Sequence, residues 1–321
     1  MNRMVIRAHV ATKSWGIPQS SSMTPKSNKL NDKRPLQERP GHHDSRTVSA
    51  PNELDDRPLL QEKPGHFDSC TTSKSNELDD RPYLGGVSKG LGYFDRPMLI
   101  FDLETTGIDP LHDLPVSAAL LEFDPVSHDC SEDVQNYFLV NPGCEIPPAA
   151  TAIHGITTEQ AREGGMPLDD AICLIYDTIV GFNGPVVGMN ISYDLTMVNT
   201  LSRSILNCEL PASLMVLDIL VLDRHFDRYR KGSRKLADLA RTYGVQSVDA
   251  HNALGDTTTT ANVLMSMMDC YPEITRMNLS ELVEKQKEWH YDWASQYSEW
   301  RKEQGKLPLA SGEYNWPVRW S

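Results

Sequence analysis

The sequence predicts an α/β domain built on a mixed sheet. Three observations carry this. Apolar runs of strand length come first, between residues 98 and 140. Later runs of that kind alternate with stretches whose apolar residues recur at helical spacing. Strands first, then strands mixed with helices, is the order of a sheet with both directions of pairing.

Each element has its own signal. Met98 to Phe101 is a short apolar run ending in acid, Val116 to Phe123 a second strand and Tyr137 to Val140 a third. Leu168, Ile172, Ile175 and Ile179 mark one face of a helix over Leu168 to Val180. Pro185 to Met189 reads as a buried strand and Tyr193 to Leu206 as a helix. Val216 to Leu222 is apolar and extended, with Asp218 inside it. Leu236 to Tyr243 is a short helix closed by Gly244. Ala253 to Met268 is a long helix with Leu254, Ala261, Leu264 and Met268 on one face. Asn278 and Glu281 cap a last helix that runs to Gln304 and stops at Gly305. Along it, Leu282, Trp289, Trp293 and Trp300 share a face, which reads as packing on the domain, with a partner surface as the alternative.

The region before residue 97 differs in texture and charge. The whole chain has 321 residues and a net charge of −13, but residues 1–97 carry 15 basic and 12 acidic side chains, against 16 and 32 in the rest. Asn52 to Pro58 recurs as Asn76 to Pro82, and Pro40 to Ser45 recurs with one change as Pro64 to Ser69, both 24 residues on. Each copy is too poor in large apolar residues to offset chain entropy. Residues 1–96 are therefore expected to be a long disordered N-terminal extension, 97–271 the α/β domain, and 272–321 a C-terminal helix and Trp-rich tail packed on it. No apolar run reaches eighteen residues, which excludes a transmembrane helix, and no signal-peptide core follows the N-terminus. Six scattered cysteines form no C-x-x-C pair and fit buried thiols of a reducing, cytoplasmic compartment.

The acids carry the chemistry. Asp102 and Glu104 are two apart in a strand and point to the same side. Adjacent carboxylates raise each other's pKa and are tolerable around a divalent cation. Asp194 follows a buried strand, in Asn190-Ile191-Ser192-Tyr193-Asp194. Asp256 opens the long helix five residues after His251, so both can face one cleft. Taken singly, each has an ordinary reading: a solvated strand end, two helix-start acids, a surface histidine.

Together, in this order, they resemble the DEDDh 3′→5′ exonucleases, the DnaQ-like family that includes proofreading subunits of bacterial DNA polymerases. Its D-x-E, N-x-x-x-D and H-x-x-x-x-D motifs stand here as Asp102/Glu104, Asn190/Asp194 and His251/Asp256, and its IHGIT element as Ile153 to Thr157. Asn252 occupies the position where the tyrosine-type sister group carries its base. Leu103 departs from the threonine of many members. The resemblance covers about residues 97 to 271, and the tail looks similar to those of actinobacterial and actinophage members.

The resemblance implies a ribonuclease-H-like fold: a mixed sheet flanked by helices. It implies that Asp102, Glu104, Asp194 and Asp256 hold two Mg²⁺ or Mn²⁺ ions, which suit oxygen-only ligands. His251 would take the proton of the attacking water. Tyr193, Ile153 and His154 would line the terminal nucleotide's pocket, with Thr105 and Asn190 beside them. Six basic residues between Arg224 and Lys235, among them Arg230, Lys231 and Arg234, offer a patch for the phosphates of a single strand; a solvated loop is the alternative. The expected substrate is a single-stranded nucleic-acid 3′ end, DNA favoured, with a DNA polymerase as a potential partner and no membrane. The rival readings are an RNA 3′-trimming exoribonuclease and a non-catalytic, polymerase-associated binding subunit.

Overall fold

The computed structural model describes residues 94, 96–127, 129–247 and 253–319. The repeats lie outside the described residues. Phe94, counted with the extension above, is buried in the same apolar cluster as Met98 and Ile100.

In chain order the elements are β1 (Met98–Thr105), β2 (Pro115–Asp124), β3 (Asp129–Asn141), α1 (Pro148–His154), α2 (Thr158–Gly164), β4 (Met166–Pro167), α3 (Leu168–Gly181), β5 (Val186–Gly188), α4 (Ser192–Ile205), β6 (Val216–Asp218), α5 (Ile219–Phe226), α6 (Leu236–Thr242), α7 (Ala253–Cys270), α8 (Glu273–Arg276) and α9 (Leu279–Glu303). A single 3₁₀ turn follows at Ser311–Tyr314. Among the described residues the strands form a six-stranded sheet, β4-β3-β2-β1-β5-β6. β1, β2 and β3 pair antiparallel, whereas β5 and β6 add to β1 in parallel. The sheet is mixed and flanked by helices, as the sequence predicts.

β1 is central, so both of its faces are covered, and it reads as a continuous apolar run. Alternation assigns its side chains. Met98 and Ile100 join Leu239, Ala261, Leu264 and Leu282, from α6, α7 and α9. Leu99, Phe101 and Leu103 join Ile172, Ile175, Leu195 and Val198, from α3 and α4. Phe101 is 1% exposed; cutting such a side chain to alanine typically costs about 3–5 kcal/mol. The same alternation sends Asp102 and Glu104 to the α7 face.

The Val216 to Leu222 run divides. Only Val216–Asp218 is strand; Asp218 then caps α5 by accepting from the Leu220 N–H at 2.9 Å. An aspartate inside an apolar run is an N-cap signal, and the helix is buried enough to hide its period. α1 and α2 were not foreseen; α2 starts at a capping box between Thr157 and Gln160.

β6 is an edge strand. Gln286 of α9 closes it like a short extra strand: its Oε1 accepts from the Asp218 N–H at 2.8 Å and its Nε2 donates to the Val216 carbonyl at 3.0 Å. The Trp-bearing face of α9 is engaged within the chain. Leu282 is buried, Trp289 stacks on His225 at 3.7 Å, Trp293 lies under the Arg224 guanidinium at 3.7 Å, and Trp300 stacks on Tyr297 at 5.6 Å. No helix among the described residues is long and apolar enough to cross a membrane.

Candidate active site

The site lies where β1 and β5 end. Gly188 closes β5 and has no room for a side chain: a Cβ there would meet the Phe101 carbonyl and Ile191 at 2.9 Å. The chain then turns through Asn190, whose φ of 57° is left-handed. Asparagine tolerates that region better than most residues. Asp218 holds the turn by accepting from the Asn190 N–H at 3.0 Å. The turn starts α4 and brings Asp194, in its first turn, to β1: the Asp194 Oδ1 accepts from the Leu103 N–H at 3.1 Å.

From the other face α7 brings Asp256. Oxygens of Asp102, Glu104 and Asp256 all lie within 4.8 Å of one another. Their electrostatics show what the arrangement costs. Burial, then the neighbouring carboxylates of Asp194, Glu104 and Asp256, hold Asp102 well above the usual carboxylate range. Burial and the adjacent Asp256 push Glu104 up to about 8. Burial raises Asp194 as well, opposed by its own and the Leu103 backbone N–H. Neither Asp102 nor Glu104 has a Lys or Arg partner among the described residues. The donor set is all oxygen, anionic and crowded, which fits hard divalent cations such as Mg²⁺ or Mn²⁺.

The Thr105 hydroxyl, the Tyr193 hydroxyl and the Gly107 carbonyl meet in one cluster. Thr105 and Tyr193 reach the carbonyl at 2.7 and 2.6 Å and lie 3.1 Å from each other. Burial raises the Tyr193 pKa, so the phenol stays protonated. Ile153 is 49% exposed at the end of α1. His154 Nδ1 accepts from the Ile156 N–H at 3.1 Å, which leaves the proton of the neutral ring on Nε2. Burial lowers the imidazole pKa, with the Thr105 backbone pulling the other way. His251 lies outside the described residues.

The basic patch is arranged differently from the expectation. Asp223 is fully buried, and a buried carboxylate requires partners. Arg230 pairs with it at 2.9 Å and with Asp227 at 2.9 Å. Arg234 also pairs with Asp223 and donates to the Asp227 carbonyl at 2.6 Å. The Tyr243 hydroxyl donates to Asp223 at 2.8 Å. Arg230 and Arg234 thus turn inward instead of presenting a phosphate-binding surface, while Lys231 is exposed.

Two residues near the site had no role in the sequence reading. Asp218 holds the Asn190 turn, and its place inside an apolar run was the available signal. Arg319 comes from the tail: its backbone N–H donates to Thr196 Oγ1 of α4 at 2.9 Å. No spacing in the sequence ties it to Asp194.

Residues 99–264 match the RNase T family model, described as exonuclease. A Mycobacterium tuberculosis protein with the provisional name of bifunctional exonuclease/endonuclease is 30% identical over 180 residues, 54% of this chain and 27% of that protein. The PolC-type DNA polymerase III of Caldanaerobacter subterraneus is 24% identical over 185 residues, 57% of this chain and 12% of the polymerase. The chain therefore spans about a quarter or less of these relatives. Among solved structures, Escherichia coli exonuclease I in complex with a dT13 oligonucleotide aligns with a TM-score of 0.49 and 20% identity, over 56% of this chain and 42% of that one. With the model covering more than half of its length, this chain belongs to the RNase T exonuclease family.

Proposed function

We propose that this exonuclease is a divalent-metal-dependent 3′→5′ enzyme. It removes nucleoside 5′-monophosphates from single-stranded 3′ ends, DNA in preference to RNA. The observation that carries the reading is the convergence of Asp102, Glu104 and Asp256 within 4.8 Å, with buried Asp194 bonded to the Leu103 N–H. The order of the motifs, as in the DEDDh exonucleases, supports the polarity.

Asp102, Glu104, Asp194 and Asp256 would hold two Mg²⁺ or Mn²⁺ ions, which supply Lewis acidity for an in-line displacement at phosphorus. His251 takes a proton from the attacking water, a role suited to a group whose free pKa is about 6.5. Tyr193, fixed through its hydroxyl, offers a rigid ring to the terminal nucleotide, and Ile153 an exposed apolar contact. Thr105 positions Tyr193 through its side-chain hydroxyl, and Asn190 positions α4 through its left-handed backbone turn. The exposed Lys231 is a member of the basic patch suited to a distal phosphate. The polymerases among the relatives support a DNA polymerase as partner.

The test is hydrolysis of matched DNA and RNA single strands labelled at the 5′ end, with Mg²⁺ and with EDTA. The expected result is a ladder shortening from the 3′ end with Mg²⁺ alone, faster on DNA. Shortening from the 5′ end, or equal rates in EDTA, overturns the proposal. His251→Ala should lower the rate by about 10²–10⁴-fold and leave Mn²⁺ binding by calorimetry unchanged. Loss of an ion in that variant would make His251 a ligand.

A further inference from the structure

The C-terminal tail is built into the wall of the site. Trp316 and Val318 are 6% and 8% exposed, in the same cluster as Leu103, Ile191 and Leu195. The Trp316 Nε1 approaches Asp218 Oδ2 at 3.5 Å, and Asp218 holds the Asn190 turn. The Arg319 N–H then bonds to Thr196, one turn along α4 from Tyr193 and on the same face of the helix. The tail is thereby fixed at three points around the start of α4.

This placement carries the Arg319 side chain to the active-site end of the helix. The groups in electrostatic reach of its guanidinium include Glu313, Tyr193, Asp218 and Asp194, and Asp109 in turn feels its charge. Arginine carries its positive charge at every accessible pH. Yet among the described residues this guanidinium makes no hydrogen bond or ion pair, and its Nε is buried without a partner. Glu313, the strongest of its electrostatic neighbours, uses its carboxylate on the Ala310 N–H at 2.8 Å instead. Arg230 and Arg234, by contrast, each form an ion pair with Asp223. A withdrawn cation whose fork of donors has no acceptor is costly, and an anion that binds beside it removes the cost.

We propose that Arg319 is a phosphate-binding residue of the active site, its guanidinium taking a phosphate oxygen of the nucleotide held at Tyr193. This rests on the function proposed above, which places the terminal nucleotide there. A guanidinium fork suits two phosphate oxygens at once, and such charge-assisted bonds are the stronger kind. The phosphate has two potential sources: that of the terminal mononucleotide, and a diester further along the strand.

The experiment measures binding by the full chain in Ca²⁺, by competition against 5′-fluorescein-labelled (dT)₆. The competitors are thymidine, thymidine 5′-monophosphate and unlabelled (dT)₆. The wild-type protein should bind the monophosphate at least tenfold more tightly than thymidine. Arg319→Met should narrow that ratio to within about threefold and leave thymidine itself unchanged, with Arg319→Lys intermediate. If the monophosphate ratio persists in Arg319→Met while (dT)₆ weakens at least tenfold, the contact is to a diester, which also supports the proposal. Equal weakening of all three competitors indicates a merely structural residue and overturns it, as does no change in any of them. A wild-type ratio near one with undiminished (dT)₆ binding in Arg319→Gln overturns it too, and the glutamine variant serves if methionine does not fold. Hydrolysis by the wild type is scored separately: absence of 3′→5′ degradation defeats the proposed function, whereas an unaltered Arg319 variant of an active enzyme defeats only this inference.

Discussion

Two of the groups of withdrawn carboxylates among the described residues are handled in opposite ways. Asp223 is surrounded by Arg230, Arg234 and Tyr243, all donating to it. Asp102 and Glu104 are surrounded by further acids and pushed above the usual carboxylate range. The first group is complete within the chain, and its role is to join α5 to the loop before α6. The second has no Lys or Arg partner among the described residues, and the proposed function assigns it divalent cations. The contrast separates structure from chemistry: in a buried acid the informative quantity is the sign of its neighbours, not its burial.

The largest expected effect tests the second group. Asp102→Ala should reduce hydrolysis to below a tenth of wild type while the metal-free protein melts no lower, since the substitution removes a buried carboxyl whose ionisation its neighbours oppose. Activity above a tenth, or a lowered melting temperature, would break the distinction. The complete group should respond the other way. Asp223→Asn leaves two arginines without their carboxylate, and breaking such a buried pair costs about 3–5 kcal/mol. Urea unfolding of the full chain should show that loss; a variant of wild-type stability would place Asp223 among dispensable acids.

A third expectation concerns pH. Glu104 titrates near 8 when folded, against an ordinary value near 4.5. Between those values the folded chain holds a proton that the unfolded chain lacks, so metal-free stability falls as pH rises through that window. The effect of this group is on the order of a few kcal/mol. Glu104→Gln should flatten the slope, measured as melting temperature in EDTA from pH 5 to 8.5, and a wild-type slope of opposite sign would contradict the repulsion. The smallest effect belongs to His290, which is buried and bonded at Nε2 to the Glu313 carbonyl at 3.0 Å. Burial lowers its pKa to about 4. Here the unfolded chain binds the proton first, so stability is lost as pH falls from about 6.5 towards 4. That loss is at most about 3 kcal/mol, and His290→Gln should remove it from the difference between the two melting profiles.

What was legible in the sequence followed from local rules. Period-two alternation in β1 put Asp102 and Glu104 on one face, and helical spacing located α3, α7 and α9 to within a few residues. What was not legible depended on partners distant in the chain. Arg230 and Arg234 read as a surface patch because nothing local announces Asp223 as buried. Val216 to Leu222 read as one extended run because strand and buried helix are equally apolar there. Arg319 reaches α4 across more than a hundred residues, through a tail whose path only packing determines.

The amide of Gln286 has a consequence for how the chain is made. It occupies the outer edge of β6, the side on which another polypeptide could add a strand. During synthesis the sheet strands are complete by Asp218, but their guard arrives nearly seventy residues later, with α9. Throughout that interval a nascent chain displays an open sheet edge to its neighbours on the same message, the period when intermolecular pairing is most competitive. A chain released before α9 emerges would keep its strands and the acids of the site, yet would carry an adhesive margin, so the final helix acts as the molecule's own safeguard against aggregation.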